Sequence, residues 1–209
     1  MKLTIIGSTG GSGRQLVAQA LARGHEVTAF ARNPDKIKID HPAFRVVKGD
    51  VRDSAEVESA VEGQDAVMFS LGAPVRSKEK LRGHGTKTVI DAMVKQGVNR
   101  LVSLSALGCG DSEPLLPLKY KYLITPLALR GVYDDHELQE AHIRESGLEW
   151  IIVRAGALTN GGLTDSYWHG MRADGRRISA KISRADVADF MLKQLVDDRY
   201  IRRMPSISY

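Results

Sequence analysis

The stretch Gly7-Ser8-Thr9-Gly10-Gly11-Ser12-Gly13 constrains this chain more than any other. It follows a short apolar strand, Leu3 to Ile6, and leads into an Ala- and Leu-rich segment, Gln15 to Arg23. There Leu16, Val17, Ala20 and Leu21 recur at helical spacing, and Gly24 stands at the stop position. A second strand, Val27 to Ala31, comes next. Strand, glycine-rich turn, helix and strand within about thirty residues make a βαβ unit. Backbone N–H groups can approach phosphate oxygens only where side chains are absent, and a helix N-terminus adds the positive end of its dipole. The turn therefore predicts a nucleotide-phosphate cradle. The spacing is G-x-x-G-x-x-G, not G-x-G-x-x-G, so the competing reading is a structural turn whose glycines only permit tight packing.

The end of the second strand sets the choice of nucleotide. An NAD-selective site places Asp or Glu there to accept the ribose hydroxyls. Here the chain reads Phe30-Ala31-Arg32-Asn33-Pro34. The Arg32 guanidinium offers a fixed fork of donors that suits a phosphate monoester, so NADP(H) is expected over NAD(H). Lys36 and Lys38 add positive charge, and Asp35 and Asp40 partly offset it. The alternative for Arg32 is a solvated surface arginine.

Strands and helices continue to alternate. Strands are expected at Phe44 to Lys48, Ala66 to Leu71, Arg100 to Leu104 and Trp150 to Arg154. Helices are expected at Ala55 to Glu62, Gly85 to Gln96, Asp134 to Ser146 and Arg184 to Val196, the last capped by Ser183 with Asp186 at its third position. Such alternation predicts a single α/β domain with a doubly wound parallel sheet, covered on both faces. Two long connections, 106–131 and 156–183, are expected to shape a substrate site.

Ligands of such sheets bind beyond the carboxyl ends of the strands. Gly49-Asp50-Val51 follows the third strand, where Asp50 can accept from an adenine amino group and Val51 can pack on the ring. A helix cap or turn role for Asp50 is the alternative. Ser70-Leu71-Gly72-Ala73 offers small residues that let a dinucleotide lie against the backbone. Ser105, ending the fifth strand, is placed near the nicotinamide, with a turn serine as its alternative.

Composition narrows the function classes. At 209 residues the chain suits one domain with a substantial core, and its 43% hydrophobic content is ordinary. No stretch approaches the roughly 20 apolar residues of a membrane span, and no secretory leader is seen, so a cytoplasmic protein is expected. The single cysteine, Cys109, excludes a disulfide framework and a cysteine metal cluster, and no metal site is expected. The net charge of +5 comes from scattered basic residues with only 6% aromatics, which favours an anionic small molecule over nucleic acid.

Taken together, these landmarks resemble the atypical short-chain dehydrogenase/reductases with an NAD(P)-binding Rossmann fold. The shared marks are the glycine turn, Gly49-Asp50-Val51, Gly63-Gln64-Asp65-Ala66-Val67 and Arg144-Glu145-Ser146-Gly147-Leu148. Asp134-Asp135-His136, Asp174-Gly175-Arg176, Ile182-Ser183 with Asp186, and the ending Pro205 to Tyr209 are similar to the flavin and biliverdin reductase branch. The resemblance implies NADP(H) held by Gly7 to Gly13, Arg32, Asp50, Val51, Leu71, Gly72, Ala73, Ser105, Gly156, Ala157 and Leu158. It also implies hydride transfer to a flat conjugated acceptor, a flavin, a tetrapyrrole or a quinone, by a monomer or weak homo-oligomer.

The chain departs from the family's Tyr-x-x-x-Lys pair. Val132 stands at the tyrosine position and His136 at the lysine position, with Tyr133 one place off register. A conjugated acceptor tolerates this, because protonation can come from solvent or from His136, whose ordinary pKa is near 6.5. Ser105 and His136 are therefore the expected catalytic pair. Arg130, Arg172 and Arg176 suit anionic groups on the acceptor, and Trp168 suits stacking. Two other classes fit less well: a non-catalytic NADP(H)-sensing regulator of NmrA-like type, and a sugar-nucleotide epimerase or carbonyl reductase.

Overall fold

The computed structural model describes residues 1–74, 79–118, 121–122, 129–172 and 178–209. An eight-stranded sheet runs through it. The first half alternates β1 (Lys2–Ile6), α1 (Gly11–Ala22), β2 (Glu26–Ala31), β3 (Phe44–Lys48), α2 (Ser54–Val61), β4 (Ala66–Phe69) and α3 (Leu81–Gln96). The second half holds β5 (Arg100–Ala106), α4 (Arg130–Glu145), β6 (Glu149–Ala155), β7 (Ala157–Thr159), β8 (Trp168–Gly170), β9 (Lys181–Ser183), α5 (Arg184–Lys193) and β10 (Ser206–Ser208).

The strand order is β3-β2-β1-β4-β5-β6-β10-β8, parallel throughout except for β10 with β8, while β7 and β9 form a separate parallel pair. The order reverses between β1 and β4, which opens a crevice above their carboxyl ends. This is the doubly wound α/β sheet expected from the alternation.

Strand alternation sorts the core into two layers. Leu3, Ile5, Val102, Ile151 and Val153 pack with Leu16 of α1 and Phe190 of α5. Ile6, Phe69, Leu101 and Ile152 pack on the other face with Val57, Val89 and Ile143 of α2, α3 and α4. Each such fully buried aliphatic side chain contributes about 1.5–3 kcal/mol over an exposed one. The period-2 pattern also points Ser103 and Ser105 of β5 toward α4.

Several boundaries differ from the expectation, each for a physical reason. α1 begins at Gly11, ahead of Gln15, because glycines of poor intrinsic propensity form its first turn. α3 begins at Leu81, ahead of Gly85, because its cap is supplied from afar. Asp135 of α4 accepts from the N–H groups of Arg82 and Gly83 at 3.2 and 2.9 Å and pairs with the Arg82 guanidinium at 3.1 Å. α4 itself starts at Arg130, and α5 ends at Lys193. Strand β4 stops at Phe69, short of Leu71.

The connection 156–183 holds three strands of three residues each: β7 pairs with β9 inside the connection, and β8 pairs with the distant β10. The C-terminal β10 also went unpredicted, being only three residues long. The cap on α5 is as expected, with Ser183 Oγ accepting from the Asp186 N–H at 2.9 Å. The Asp186 carboxylate gathers Thr164, Asp165 and Tyr209, tying the 156–183 connection and the C-terminus to α5.

Candidate functional site

Two cavities meet above the crevice, sharing Gly10, Leu71 and Gly72 in their walls. The outer, of 170 Å³, is lined by Thr9, Arg32, Lys36, Asp50 and Val51 among others. The inner, of 350 Å³, is walled by Ser105, His136, Val132, Tyr133, Leu107, Leu116, Ala157 and Arg184.

The cradle between them is shaped by close contacts. Gly7 has φ +82°, and a Cβ there would stand 2.6 Å from the Ser70 carbonyl oxygen. A Cβ on Gly13 would stand 2.1 Å from the Gly7 oxygen, so β1, the turn and α1 fit only with glycine at both positions. Gly10 precedes α1 with no side-chain cap, which leaves the first-turn N–H groups of the helix for an anionic ligand. The Ser8 hydroxyl turns away from the cradle and donates to the Phe30 carbonyl at 3.0 Å. Of Ser8, only the backbone remains to a ligand.

In the outer cavity Arg32 is exposed and has no carboxylate within ion-pair distance among the described residues. Asp50 is already engaged. Arg52 Nε and Nη2 donate to its two oxygens at 2.9 and 2.7 Å, and this pairing holds its pKa down to about 2. The cap of α2 is Asp53, not Asp50. Val51 is buried against α3, where Gly85 makes room for it. Ala73 lies outside both linings, and its carbonyl accepts from Arg82 at 3.5 Å.

The inner cavity has a polar floor. Ser105 Oγ donates to Glu140 Oε1 at 2.6 Å. Arg154 grips the same carboxylate through Nε at 3.0 Å and Nη2 at 2.7 Å, and extends Nη1 to Asp111 at 2.5 Å. Cys109 Sγ lies 4.0 Å from Ser105 Oγ, with its thiol pushed up to about 12 by burial and by Glu140. It is a packing residue and no thiolate.

His136 corrects the expected proton donor. Burial, helped by the charge of Arg82, pushes its pKa down to about 4, so the ring is neutral near pH 7. Gln139 Nε2 donates to Ser103 Oγ and to the Leu104 carbonyl, which leaves Gln139 Oε1 as the acceptor facing His136 Nδ1 at 2.9 Å. The hydrogen is therefore on Nδ1, and Nε2 carries a lone pair. Tyr133, one place off register, donates its phenol to the Leu107 carbonyl at 2.9 Å.

Among the described residues, three expected to meet the acceptor lie outside the inner lining. Arg130 and Arg172 are exposed and outside the inner lining. Trp168 lies half-buried on β8, at the sheet edge, with its indole against Gly170. Arg176, with Asp174 and Gly175, lies outside the described residues. Gly156, Ala157 and Leu158 do line the inner cavity, beside Ala180. Leu107, Leu116, Leu129 and Ala180 come from the two connections expected to shape the substrate site, and Arg82 and Arg184 are the unforeseen charged members. One sequence signal pointed to Arg184, namely a cation in the first helical position, where the dipole disfavours it.

The cradle, the paired cavities and the reversal of strand order fit a dinucleotide. The sequence matches the NAD(P)H-binding family over residues 7–198. The chain belongs to that family. An uncharacterised chloroplastic protein of Arabidopsis thaliana is 30% identical over 207 residues, which span 94% of this chain and 72% of that protein. Among solved structures, an oxidoreductase of Lactococcus lactis superposes with a TM-score of 0.85 at 23% identity, covering 100% of this chain and 90% of that one. A short-chain dehydrogenase/reductase of Veillonella parvula in complex with NADP gives 0.83 at 20% identity over 100% and 94%. The anaerobilin reductase ChuY of Escherichia coli O157:H7 gives 0.81 at 24% identity over 100% and 97%. These structures share the fold of this NAD(P)H-binding chain. Among its described residues no helix is long and apolar enough to cross a membrane.

Proposed function

We propose that this protein is an NADPH-dependent reductase whose acceptor is a flat conjugated molecule, a flavin, a linear tetrapyrrole or a quinone. One observation carries the reading. Among the described residues of the inner cavity, the protons on Ser105, Tyr133 and His136 Nδ1 are already donated, to Glu140, Leu107 and Gln139. These three groups thus turn lone pairs toward the cavity in place of an acid, beside the apolar surface of Leu107, Leu116 and Val132. A simple ketone needs a proton delivered as its oxygen gains charge. A conjugated acceptor spreads that charge and takes its proton from solvent, so positioning supplies most of the catalysis.

When bound, NADPH supplies the hydride. The chain's own part is to hold and orient. The first-turn N–H groups of α1 bind phosphates, and Arg32 pairs with the monoester phosphate that distinguishes NADPH from NADH. The Ser105–Glu140–Arg154 network fixes the floor, and Leu107, Leu116, Leu129 and Val132 exclude water from one side of the acceptor. His136 Nε2 accepts a hydrogen bond, which suits the N–H groups of tetrapyrroles and flavins. The reductase named among the structural neighbours acts on a molecule of the tetrapyrrole class.

The committed protons also fit an NADP(H) sensor that turns nothing over. Deuterated NADPH separates the two. A reductase transfers the label to the acceptor and slows when deuterated, whereas a sensor binds the nucleotide and leaves it intact.

A further inference from the structure

Arg184 opens α5 directly after its cap Ser183, and its side chain reaches back over the glycine cradle. A Cβ on Gly11 would stand 2.6 Å from both Arg184 Cδ and Nε. The guanidinium therefore lies against the N-terminus of α1 while its own backbone begins α5. Both helix ends carry partial positive charge, so a cation here is held against two unfavourable dipoles.

The chain does little to neutralise it. Arg184 Nη1 donates to Asn160 Oδ1 at 2.6 Å and to the Leu158 carbonyl at 3.4 Å, both uncharged acceptors. Arg82, the other arginine of the inner wall, has Asp135 at 3.1 Å. The acid in the first turn of α5, Asp186, has its carboxylate occupied by the Ser183 hydroxyl, Thr164, the Asp165 N–H and Tyr209. Among the described residues no carboxylate stands within ion-pair distance of Arg184.

We propose that Arg184 binds the diphosphate bridge of the dinucleotide, closing over the cradle from the α5 side, with Asn160 holding the guanidinium in place. Two of its terminal donors suffice for a bidentate phosphate contact, and the anion turns both helix dipoles from unfavourable to favourable. The diphosphate is common to NAD(H) and NADP(H), so Arg184 serves affinity for both, whereas Arg32 serves the choice between them. This rests on the cradle reading of Gly7 to Gly13 and is independent of the acceptor.

Calorimetric titration of the whole protein with NADP⁺, NAD⁺, ADP-ribose and 2′-AMP tests it, because only the first three contain a diphosphate. Arg184→Gln is expected to bind those three roughly 10- to 100-fold more weakly, as for loss of a charge-assisted hydrogen bond. Arg184→Lys should lose less, and 2′-AMP should bind both variants as it binds the wild type. Undiminished binding of the diphosphate ligands by Arg184→Gln would overturn the assignment. So would an equal loss of 2′-AMP, which would make Arg184 a support of the fold. Unchanged NADP⁺ binding with a raised KM for the acceptor would also overturn it, in favour of a contact to the acceptor. The titration readings are of binding, so they decide the assignment whether or not the protein turns NADPH over; the KM reading adds to them where it does.

Discussion

Ser105 and Arg154 hold the same carboxylate, that of Glu140, the serine from 2.6 Å and the arginine through two hydrogen bonds of 3.0 and 2.7 Å. The network joins β5, α4 and β6 beneath the inner cavity. It commits the serine's proton to Glu140, and we propose that Ser105 has a positioning role.

Replacing Ser105 with Ala should therefore lower stability by about 1–2 kcal/mol and change kcat by less than about tenfold. Glu140→Gln should cost about 3–5 kcal/mol, because it removes the buried charge partner of Arg154 and leaves it only the exposed Asp111. Denaturant unfolding of both variants checks this order. A Ser105→Ala enzyme that folds normally but loses activity by several orders of magnitude would assign the hydroxyl a direct chemical part.

His136 predicts a pH dependence with a definite sign. Its folded pKa of about 4 lies below the unfolded value near 6.5, so the unfolded chain takes up the proton first as pH falls. The neutral ring's contribution is fully present above about pH 6.5 and is lost between 6.5 and 4, amounting to about 3 kcal/mol. Unfolding free energies measured at pH 7 and pH 4.5 should fall less steeply in His136→Asn than in the wild type. Equal slopes would contradict the neutral, buried imidazole.

Arg32→Ala should weaken NADP⁺ binding by roughly 10- to 100-fold and NAD⁺ binding by less than about threefold. Equal losses for the two nucleotides, read by titration, would remove Arg32 from the phosphate-recognition role.

Two glycines of the crevice should respond in opposite ways. A Cβ on Gly72 meets nothing within 4 Å, yet Gly72 lines both cavities. Gly72→Ala should therefore melt within about 2 °C of the wild type while binding NADP⁺ more weakly. Gly13→Ala, with its Cβ driven onto the Gly7 oxygen, should lose about 3 kcal/mol or more of stability. Thermal melts with and without NADP⁺ separate the two cases.

The βαβ start and the strand alternation were legible because periodicity and glycine spacing are local signals. The same local signals put Gly10, Arg32, and Leu71 with Gly72 just beyond β4, beside the crevice whose cavities they line. Elements whose partners lie far along the chain were not legible. β10 pairs with β6, and α3 starts where Asp135 caps it, although nothing near Leu81 announces this. Asp135 was visible only as a family mark beside His136, and its capping role needed the fold. Tautomer and charge were equally hidden. His136 reads as an ordinary imidazole in sequence, and only burial and Gln139 make it a neutral acceptor. Arg130 and Arg172 lie outside the inner lining, and charge alone does not say which way a loop faces.

The most direct test of the account is NADPH oxidation, followed by absorbance, with FMN, FAD, biliverdin, a simple quinone and a simple ketone offered in parallel and NADH as the control donor. The account predicts turnover with at least one conjugated acceptor, preference for NADPH, and none with the ketone. Tight NADPH binding with no turnover on any conjugated acceptor, or turnover on the ketone alone, would contradict it.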